Sequence, residues 1–363
     1  MRVKQLKRIV QNILNVQTSK IGVHKTILVN VSGRLFFTSF SSQGYYLDEM
    51  ICDCPDPFTI EVDSSLLSSV ATSLDSDVFS IKVFGSDLFF HGDLSYSLPF
   101  KACKGHSVSL KLLESIACSH VSFFKILSKF SFCCSSRSPG KVSGINFIPA
   151  EEGTKIISTD KFRVAHGSTD SFKVGTSFIL TEEDIKRVTS IFDTFSGFEL
   201  MHSGEGHLFF KITSVTTTLV FRVFKPAKPL IHFPTPKEMV YFDLEADKLK
   251  KILIQIVKFS SKKPIIPVMF KFTGDKMNIS SEGVTGSLPL LSMDDSSIPE
   301  TPFFVNAKFL LDFMETYEKF RCFLGVYFKS DNPLVIIHEN LNVLNRSYLL
   351  MPLNMDKPTW EAK

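Results

Sequence analysis

One two-part phrase recurs six times along this chain: a short extended apolar segment, a polar corner, then a helix with an apolar stripe. The phrases begin at Met1 (MRVKQLKRIVQNIL), Phe58 (FTIEVDSSLLSSVATSL) and His106 (HSVSLKLLESIACSH). Three more begin at Thr176 (TSFILTEEDIKRVTSIF), Met239 (MVYFDLEADKLKKILIQI) and Thr301 (TPFFVNAKFLLDFMETY). A repeat at about 50–70 residues means that one supersecondary unit was copied and that neighbouring copies bury each other's apolar faces. Such an array predicts a large regular scaffold, suited to holding or encircling a partner.

Each phrase is followed by alternating strands. VFSIKVFGSDLFFHGDLSYSLPF reads as three strands joined at Gly-Ser-Asp and Gly-Asp turns, with apolar residues at period two. GFELMHSGEGHLFFKITSVTTTLVFRVF repeats that layout, and so does CFLGVYFKSDNPLVIIHENLNVLNRSYLLMPL. Shorter strand runs follow the other phrases: GRLFFTSF, GINFIPAEEGTKIIST and PVMFKFTGDKMNISS. Two phrases therefore make a domain, and the chain is expected to hold three, over residues 1–103, 104–236 and 237–363. The boundaries fall at FKACKGHS and at KPAKPLIHFPTPKE, whose prolines predict a stiff extended linker. Helices packed on antiparallel sheets give an α+β fold class.

A chain of 363 residues exceeds what one core usually supports. Phe is abundant, 36 residues against seven Tyr and one Trp, and reads as core filler for many short strands. The amino terminus is charged throughout and lacks the apolar run of a signal peptide. No stretch of about 18 uncharged apolar residues offers a membrane span, so a cytoplasmic protein with no membrane partner is expected. The seven Cys read as reduced, mostly buried thiols, because Cys52/Cys54 and Cys133/Cys134 have poor zinc spacings. No metal and no cofactor is expected. Nothing resembles a nucleophile elbow or a P-loop, so no catalytic residues are assigned.

The net charge is only +4, so its location matters more than its sum. Basic residues gather in the phrases: Arg2, Lys4, Lys7 and Arg8 in the first; Lys111, Lys125 and Lys129 in the third region; Lys186 and Arg187 in the fourth. Lys248, Lys250, Lys251 and Lys258 follow in the fifth and Lys308 in the sixth. On helices whose other face packs on a sheet, these side chains are expected to point away from the core. Lining one surface, they would hold phosphates without reading bases. The second helix has no Lys or Arg, so such a lining would be uneven.

At this point the residues resemble a family, the bacterial DNA polymerase III beta subunits or sliding clamps, over nearly the whole chain. The most specific patch is KVSGINFIPAEEGTKIISTDKFRVAH (Lys141–His166), which is similar to the family's second-domain stretch ending Ala-Thr-Asp-Gly-His-Arg-Leu-Ala. SYLLMPLNM (Ser347–Met355) resembles the family's terminal Tyr-Val-Val-Met-Pro-Met-Arg-Leu, and FFVNAKFLLDFMETY fits the start of the last helix.

The resemblance implies a head-to-tail homodimer whose helices line a central hole and whose antiparallel sheets lie outside. Double-stranded DNA would be encircled without sequence preference. The resemblance also implies partners: the replicative polymerase, the clamp loader and other proteins carrying short Gln-Leu-x-Leu-Phe-type peptides. Positions matching the family's peptide pocket are Val142, Thr159, Phe162, Arg163 and Val164; Pro229, Phe233 and Pro234; and Asn306, Phe309, Leu349, Leu350, Met351, Pro352 and Leu353. DNA-facing positions are Arg2, Lys4, Lys7, Lys20, His24, Lys25, Lys111, Lys186, Lys250 and Lys251. The dimer edges are expected at Tyr96 and Leu98 and at Val257 and Phe259.

The sequence departs from the family in places. Lys161 and Phe162 stand where Gly-His is usual, making the pocket rim bulkier and more basic. The chain continues past the Met-Pro motif with DKPTWEAK (residues 356–363), a polar tail containing Trp360 that is expected to be disordered, the alternative being that it folds back on the peptide pocket. The divergent first domain suggests a phage or an unusual bacterial lineage. The alternative to a ring is a clamp-fold scaffold or processivity protein that does not close; a two-domain trimeric clamp does not fit three domains.

Overall fold

The computed structural model describes the chain except residues 18–24, 42–43, 105–108, 135–143, 161, 227–239, 261–262, 294–301, 328–333, 342–343, 351–352 and 354–363. The first third runs α1 (Val3–Val16), β1 (Lys25–Val31), β2 (Arg34–Ser41), β3 (Gly44–Ile51), β4 (Phe58–Asp63), α2 (Ser64–Ser73), β5 (Ser80–Phe84), β6 (Asp87–His91) and β7 (Ser95–Ala102). The middle runs β8 (Leu110–Ala117), α3 (His120–Phe130), β9 (Gly144–Pro149), β10 (Thr154–Thr159), β11 (Arg163–Thr169) and β12 (Phe178–Thr181). It ends with α4 (Glu182–Ile191), β13 (Gly197–Ser203), β14 (Leu208–Thr213) and β15 (Thr218–Val223). The last third opens with β16 (Val240–Glu245), α5 (Ala246–Phe259), β17 (Pro267–Thr273), β18 (Lys276–Ser281), β19 (Val284–Pro289) and β20 (Ser292–Met293). It closes with β21 (Phe303–Asn306), α6 (Ala307–Glu315), β22 (Arg321–Tyr327), β23 (Leu334–Leu341) and β24 (Leu344–Leu350).

The chain divides into two compact units, Met1–Val121 with Glu183–Lys225, and Ser122–Glu182 with Pro226–Lys363. The strands of the middle third are therefore shared between them. The first unit holds an eleven-stranded sheet in the order β5-β6-β7-β4-β1-β2-β3-β15-β14-β13-β8. The second holds a nine-stranded sheet, β12-β9-β10-β11-β24-β23-β22-β16-β20, and a four-stranded one, β19-β18-β17-β21. All of the described pairings are antiparallel, so the α+β reading holds.

In the first unit α1 buries Leu6, Ile9, Val10 and Ile13, at helical spacing, while Lys4, Lys7 and Arg8 stay exposed. Asp63 caps α2, its Oδ1 accepting from the backbone N–H of Ser65 at 2.8 Å and of Leu66 at 3.0 Å. The joint between β3 and β15 begins at Gly44, with φ +153°. A Cβ there would meet the Val220 carbonyl oxygen at 2.0 Å, so the close approach of the two strands requires glycine. In the second unit α5 buries Leu249, Leu253 and Ile256, and α6 buries Leu310, Leu311, Phe313 and Met314. Phe147 stacks on Phe178 at 4.8 Å and Phe242 on Phe272 at 3.9 Å, the core role expected of the many Phe.

Four of the six phrases fold as a strand followed directly by a helix, as expected, and two differ. No strand precedes α1; Arg2 makes only a single bridge to Val78, and the Met1 ammonium donates to the Phe79 carbonyl at 2.7 Å. The segment around Lys111, expected in a helix, is strand β8, paired with β13 from Leu110 to Ala117. The helix comes later, where Phe123, Ile126, Leu127 and Phe130 supply the apolar stripe. Lys129 is a further correction. It was expected to point outward, yet it is only 3% exposed, held by ion pairs described below.

Candidate partner-docking face

In the second unit six neighbouring strands align one residue each into a rung: Thr159, Val164, Leu349, Ile336, Gly325 and Tyr241. Successive strand side chains point to opposite faces, so these residues share one face of the sheet. Ile336 and Leu349 pack together there, with half-buried Val164 and Tyr241 against them. Gly325 places no side chain between Ile336 and Tyr241, which leaves room for the tyrosine ring to reach across. Three of the positions expected in a peptide pocket, Thr159, Val164 and Leu349, thus come together, joined by Ile336 and Tyr241, which the sequence reading did not single out.

Arg163 and Leu350 are one residue along their strands and face the other side. Arg163 is 7% exposed and is held there. Its Nε donates to Asp160 at 2.8 Å, and its two terminal nitrogens donate to Asp312 and to the Phe132 carbonyl, each at 2.6 Å. Its guanidinium lies 4.3 Å from the Phe309 ring centre, a cation–π contact. Phe162, 61% exposed, stacks on the same Phe309 at 6.2 Å between ring centres. Phe162 and Phe309 therefore form an aromatic rim braced by a buried cation. The strand alternation splits the expected residues into two groups.

Asn306 is a cap of α6: its Oδ1 accepts from the backbone N–H of Lys308 at 3.2 Å and of Ile266 at 3.3 Å. The N–H of half-buried Leu353 donates to the Phe304 carbonyl at 2.8 Å, tying the chain beyond β24 to β21. Val142, Pro229, Phe233, Pro234, Met351 and Pro352 lie outside the described residues, as do Lys161 and the 356–363 segment with Trp360.

Two residues along each strand, the same face carries a second rung: Ile157, His166, Ser347, His338 and Phe323. The His338 ring sits between two hydroxyls, Nδ1 at 2.7 Å from Ser347 Oγ and Nε2 at 3.3 Å from Tyr241 Oη. Burial, helped by the charge of Lys155, pushes His166 down to about 4, and burial lowers His338 as well. Both rings are neutral at neutral pH. A cavity of about 250 Å³ opens over this rung, lined by His166, Ser168, His338, Asn345 and Ser347.

The basic positions expected to face DNA fall on several elements. Arg2, Lys4 and Lys7 are exposed at α1, although Lys7 Nζ also donates to the Leu74 carbonyl at 3.0 Å. Lys186 is exposed on α4, Lys251 is exposed on α5 and Lys250 is half-buried there. Lys25 and Lys111 are exposed on strands β1 and β8, and Lys25 is paired with Glu61 at 2.5 Å. Lys20 and His24 lie outside the described residues. Of the expected dimer edges, Phe259 is 75% exposed at the end of α5 and Val257 is half-buried. Tyr96 is half-buried and donates to the Ser73 carbonyl at 2.9 Å. Leu98 is 1% exposed, its side chain in the core of its own unit, on the stretch of β7 that pairs with β6.

All seven cysteines are free thiols, five of them buried, and burial pushes Cys134 up to about 11 and Cys118 up to about 12. Among the described residues no three His, Cys, Asp or Glu side chains come together in a way that could hold a metal ion. No helix among them is long and apolar enough to cross a membrane.

This arrangement of sheets and helices is that of bacterial DNA polymerase sliding clamps. The sliding clamp of Bacillus subtilis superposes with a TM-score of 0.82 at 12% identity, covering 98% of each chain. The beta sliding clamp of C. crescentus gives 0.81 at 16% identity, again over 98% of each chain. The beta subunit of DNA polymerase III from Thermotoga maritima gives 0.79 at 13% identity with the same coverage. No protein-family profile matches the chain, and no curated protein matches its sequence. The chain therefore has the sliding-clamp fold with a strongly divergent sequence.

Proposed function

We propose that this protein is a DNA polymerase processivity factor, a clamp that closes as a homodimer around duplex DNA. The observation that carries the reading is the fold likeness, which runs over 98% of both chains and not over one domain. In this reading the three domains are residues 1–103, 104–236 and 237–363, each built of two strand-helix halves. Twofold head-to-tail closure would use the exposed Phe259 at the end of α5, meeting the strand edge near Tyr96 and Leu98. A heterologous contact closes into a ring only when its rotation fits.

Lys4 and Lys7 on α1, Lys186 on α4, and Lys250 and Lys251 on α5 supply phosphate contacts without base readout. Topology, not affinity, keeps such a ring on its template, so a net charge of +4 is adequate. The apolar rung of Val164, Leu349 and Ile336 with Tyr241, and the rim of Phe162 and Phe309, dock short peptides of the polymerase, the loader and other clamp-binding proteins. Anchor side chains in such a groove carry most of the affinity. No chemical step is assigned to the chain.

The experiment is retention on DNA. Protein assembled on a nicked circular plasmid should remain bound through gel filtration and be released once a restriction enzyme linearises the circle. Equal loss from circular and linear DNA would instead favour a clamp-fold scaffold that does not close.

A further inference from the structure

Resting on the peptide-docking reading, we infer that the docking groove does not end at the apolar rung but continues into the His166–Ser347–His338 rung, where it takes a neutral hydrogen-bonding side chain of the partner peptide. Three observations carry this. The two rungs lie on one face of the same three strands, with Val164 two residues from His166, Leu349 from Ser347 and Ile336 from His338. Tyr241 belongs to both: its ring packs on the apolar cluster and its hydroxyl meets His338 Nε2 at 3.3 Å. A cavity of about 250 Å³ opens over the polar rung, with Ser168 and Asn345 on its far side.

The chemistry of the lining selects the occupant. His338 is fixed between Ser347 and Tyr241, so its ring orientation is set before anything binds. The charged residues that border the cavity, Glu339 and Arg346, are paired with each other at 2.5 Å and are buried, so they offer no net charge. Asp243, opposite Phe323, stands at the end of the same rung, buried and paired with Arg321 at 3.2 Å, and Lys155, opposite Ser168, lies one rung further along. With both His338 nitrogens already engaged, the rung presents the Ser347 and Tyr241 hydroxyls, with Ser168 and Asn345 beside them, which suit an amide or hydroxyl side chain. A carboxylate would lose hydration and find no cation in the rung itself, whose far end carries the carboxylate of Asp243. Rungs two residues apart are separated by about 6.6–6.8 Å, the same-face spacing of an extended peptide. The hydrogen-bonding residue should therefore stand two positions from an apolar anchor.

The test uses fluorescein-labelled peptides with a Leu-Ala-Leu-Phe core. One pair carries Asn or Ala two residues before the core, and a second pair carries Asn or Ala two residues after it. Affinities are measured by anisotropy against the full chain and its Ser347→Ala and His338→Gln variants, with folding of each checked by circular dichroism. The expected result is that the full chain prefers Asn over Ala by about fivefold to tenfold in one pair, the worth of one or two net hydrogen bonds. Ser347→Ala and His338→Gln should each bring that ratio toward one. An Asp probe at the same position should bind no better than Ala. Equal affinity for Asn and Ala probes in both pairs, or a preference untouched by both variants, would overturn the inference while leaving docking at the apolar rung intact. Failure of every probe to bind the full chain would remove the docking reading and this extension together.

Discussion

Arg346 and Glu339 face each other across β24 and β23 with both side chains fully buried, Arg346 Nε donating to Glu339 Oε2 at 2.5 Å. The rest of the guanidinium is also satisfied, by the Lys129 carbonyl and by Thr316 Oγ1 and carbonyl oxygen, each at 2.9 Å. Lys129 completes the cluster, pairing with Glu318 at 2.9 Å and lying 3.9 Å from Glu339, and donating to the Thr316 carbonyl. Helix α3, the end of α6 and the β23–β24 pair are thus joined by one charged network beneath the candidate docking face.

Removing one member should leave a buried, uncompensated charge. Arg346→Ala is expected to cost about 3–5 kcal/mol. Arg346→Lys should recover only part of that loss, because an ammonium cannot reproduce the guanidinium fork. Urea denaturation of the second unit's signal measures both. A change below about 1 kcal/mol for Arg346→Ala would mean that the network does not hold the unit together.

The half-buried histidines predict an acid-sensitive second unit. His166 titrates near 4 in the folded chain against an ordinary 6.5. The unfolded chain therefore takes up its proton first as pH falls. The stability present above about 6.5 is lost progressively between about 6.5 and 4. His338 is lowered in the same direction. His166→Gln should flatten the fall in melting temperature across that window while changing little at pH 8; an unchanged slope would refute the assignment.

In the first unit Asp48 is fully buried and its Oδ2 accepts from Tyr46 Oη at 2.7 Å and Thr217 Oγ1 at 3.0 Å. Asn12 of α1 donates to the same Tyr46 hydroxyl at 3.2 Å. Asp48→Ala strands these donors and should cost about 1–3 kcal/mol. Thr217→Val, which removes one donor from the joint between β3 and β15, should cost less. Thermal melts of the two variants, compared with the parent, check the order.

Docking and DNA retention should separate. Leu349→Asp places a charge in the apolar rung and is expected to abolish peptide binding while leaving retention on circular DNA. Lys250→Glu with Lys251→Glu should weaken stimulation of DNA synthesis, with a stronger dependence on salt, and leave peptide affinity unchanged. If both variants fail in both assays, the assignment of separate surfaces is wrong.

Strands with clear punctuation were legible in the sequence: the Gly-Ser-Asp and Gly-Asp turns place β5, β6 and β7, and Ser-Gly-Glu-Gly separates β13 from β14. Leu110–Ala117 was not, because its run of Leu and Ile fits a helix as well as a strand, and pairing along β13 decides it. Lys129 was misplaced for a similar reason. Helical periodicity puts a lysine outside, and the partners that bury it, Glu318 and Glu339, lie far along the chain. The docking face was half visible. Motif likeness picked out Thr159, Val164 and Leu349, but Ile336, Tyr241 and the histidine rung depend on the register between distant strands, which no local pattern carries.

Molar mass in solution tests the central claim, ring closure, most directly. Light scattering on the purified chain at micromolar concentration should give about twice 40.9 kDa, the mass of a closed homodimer. A mass of 40.9 kDa under the same conditions, unchanged on concentrating the sample, would contradict encirclement by two copies of this chain.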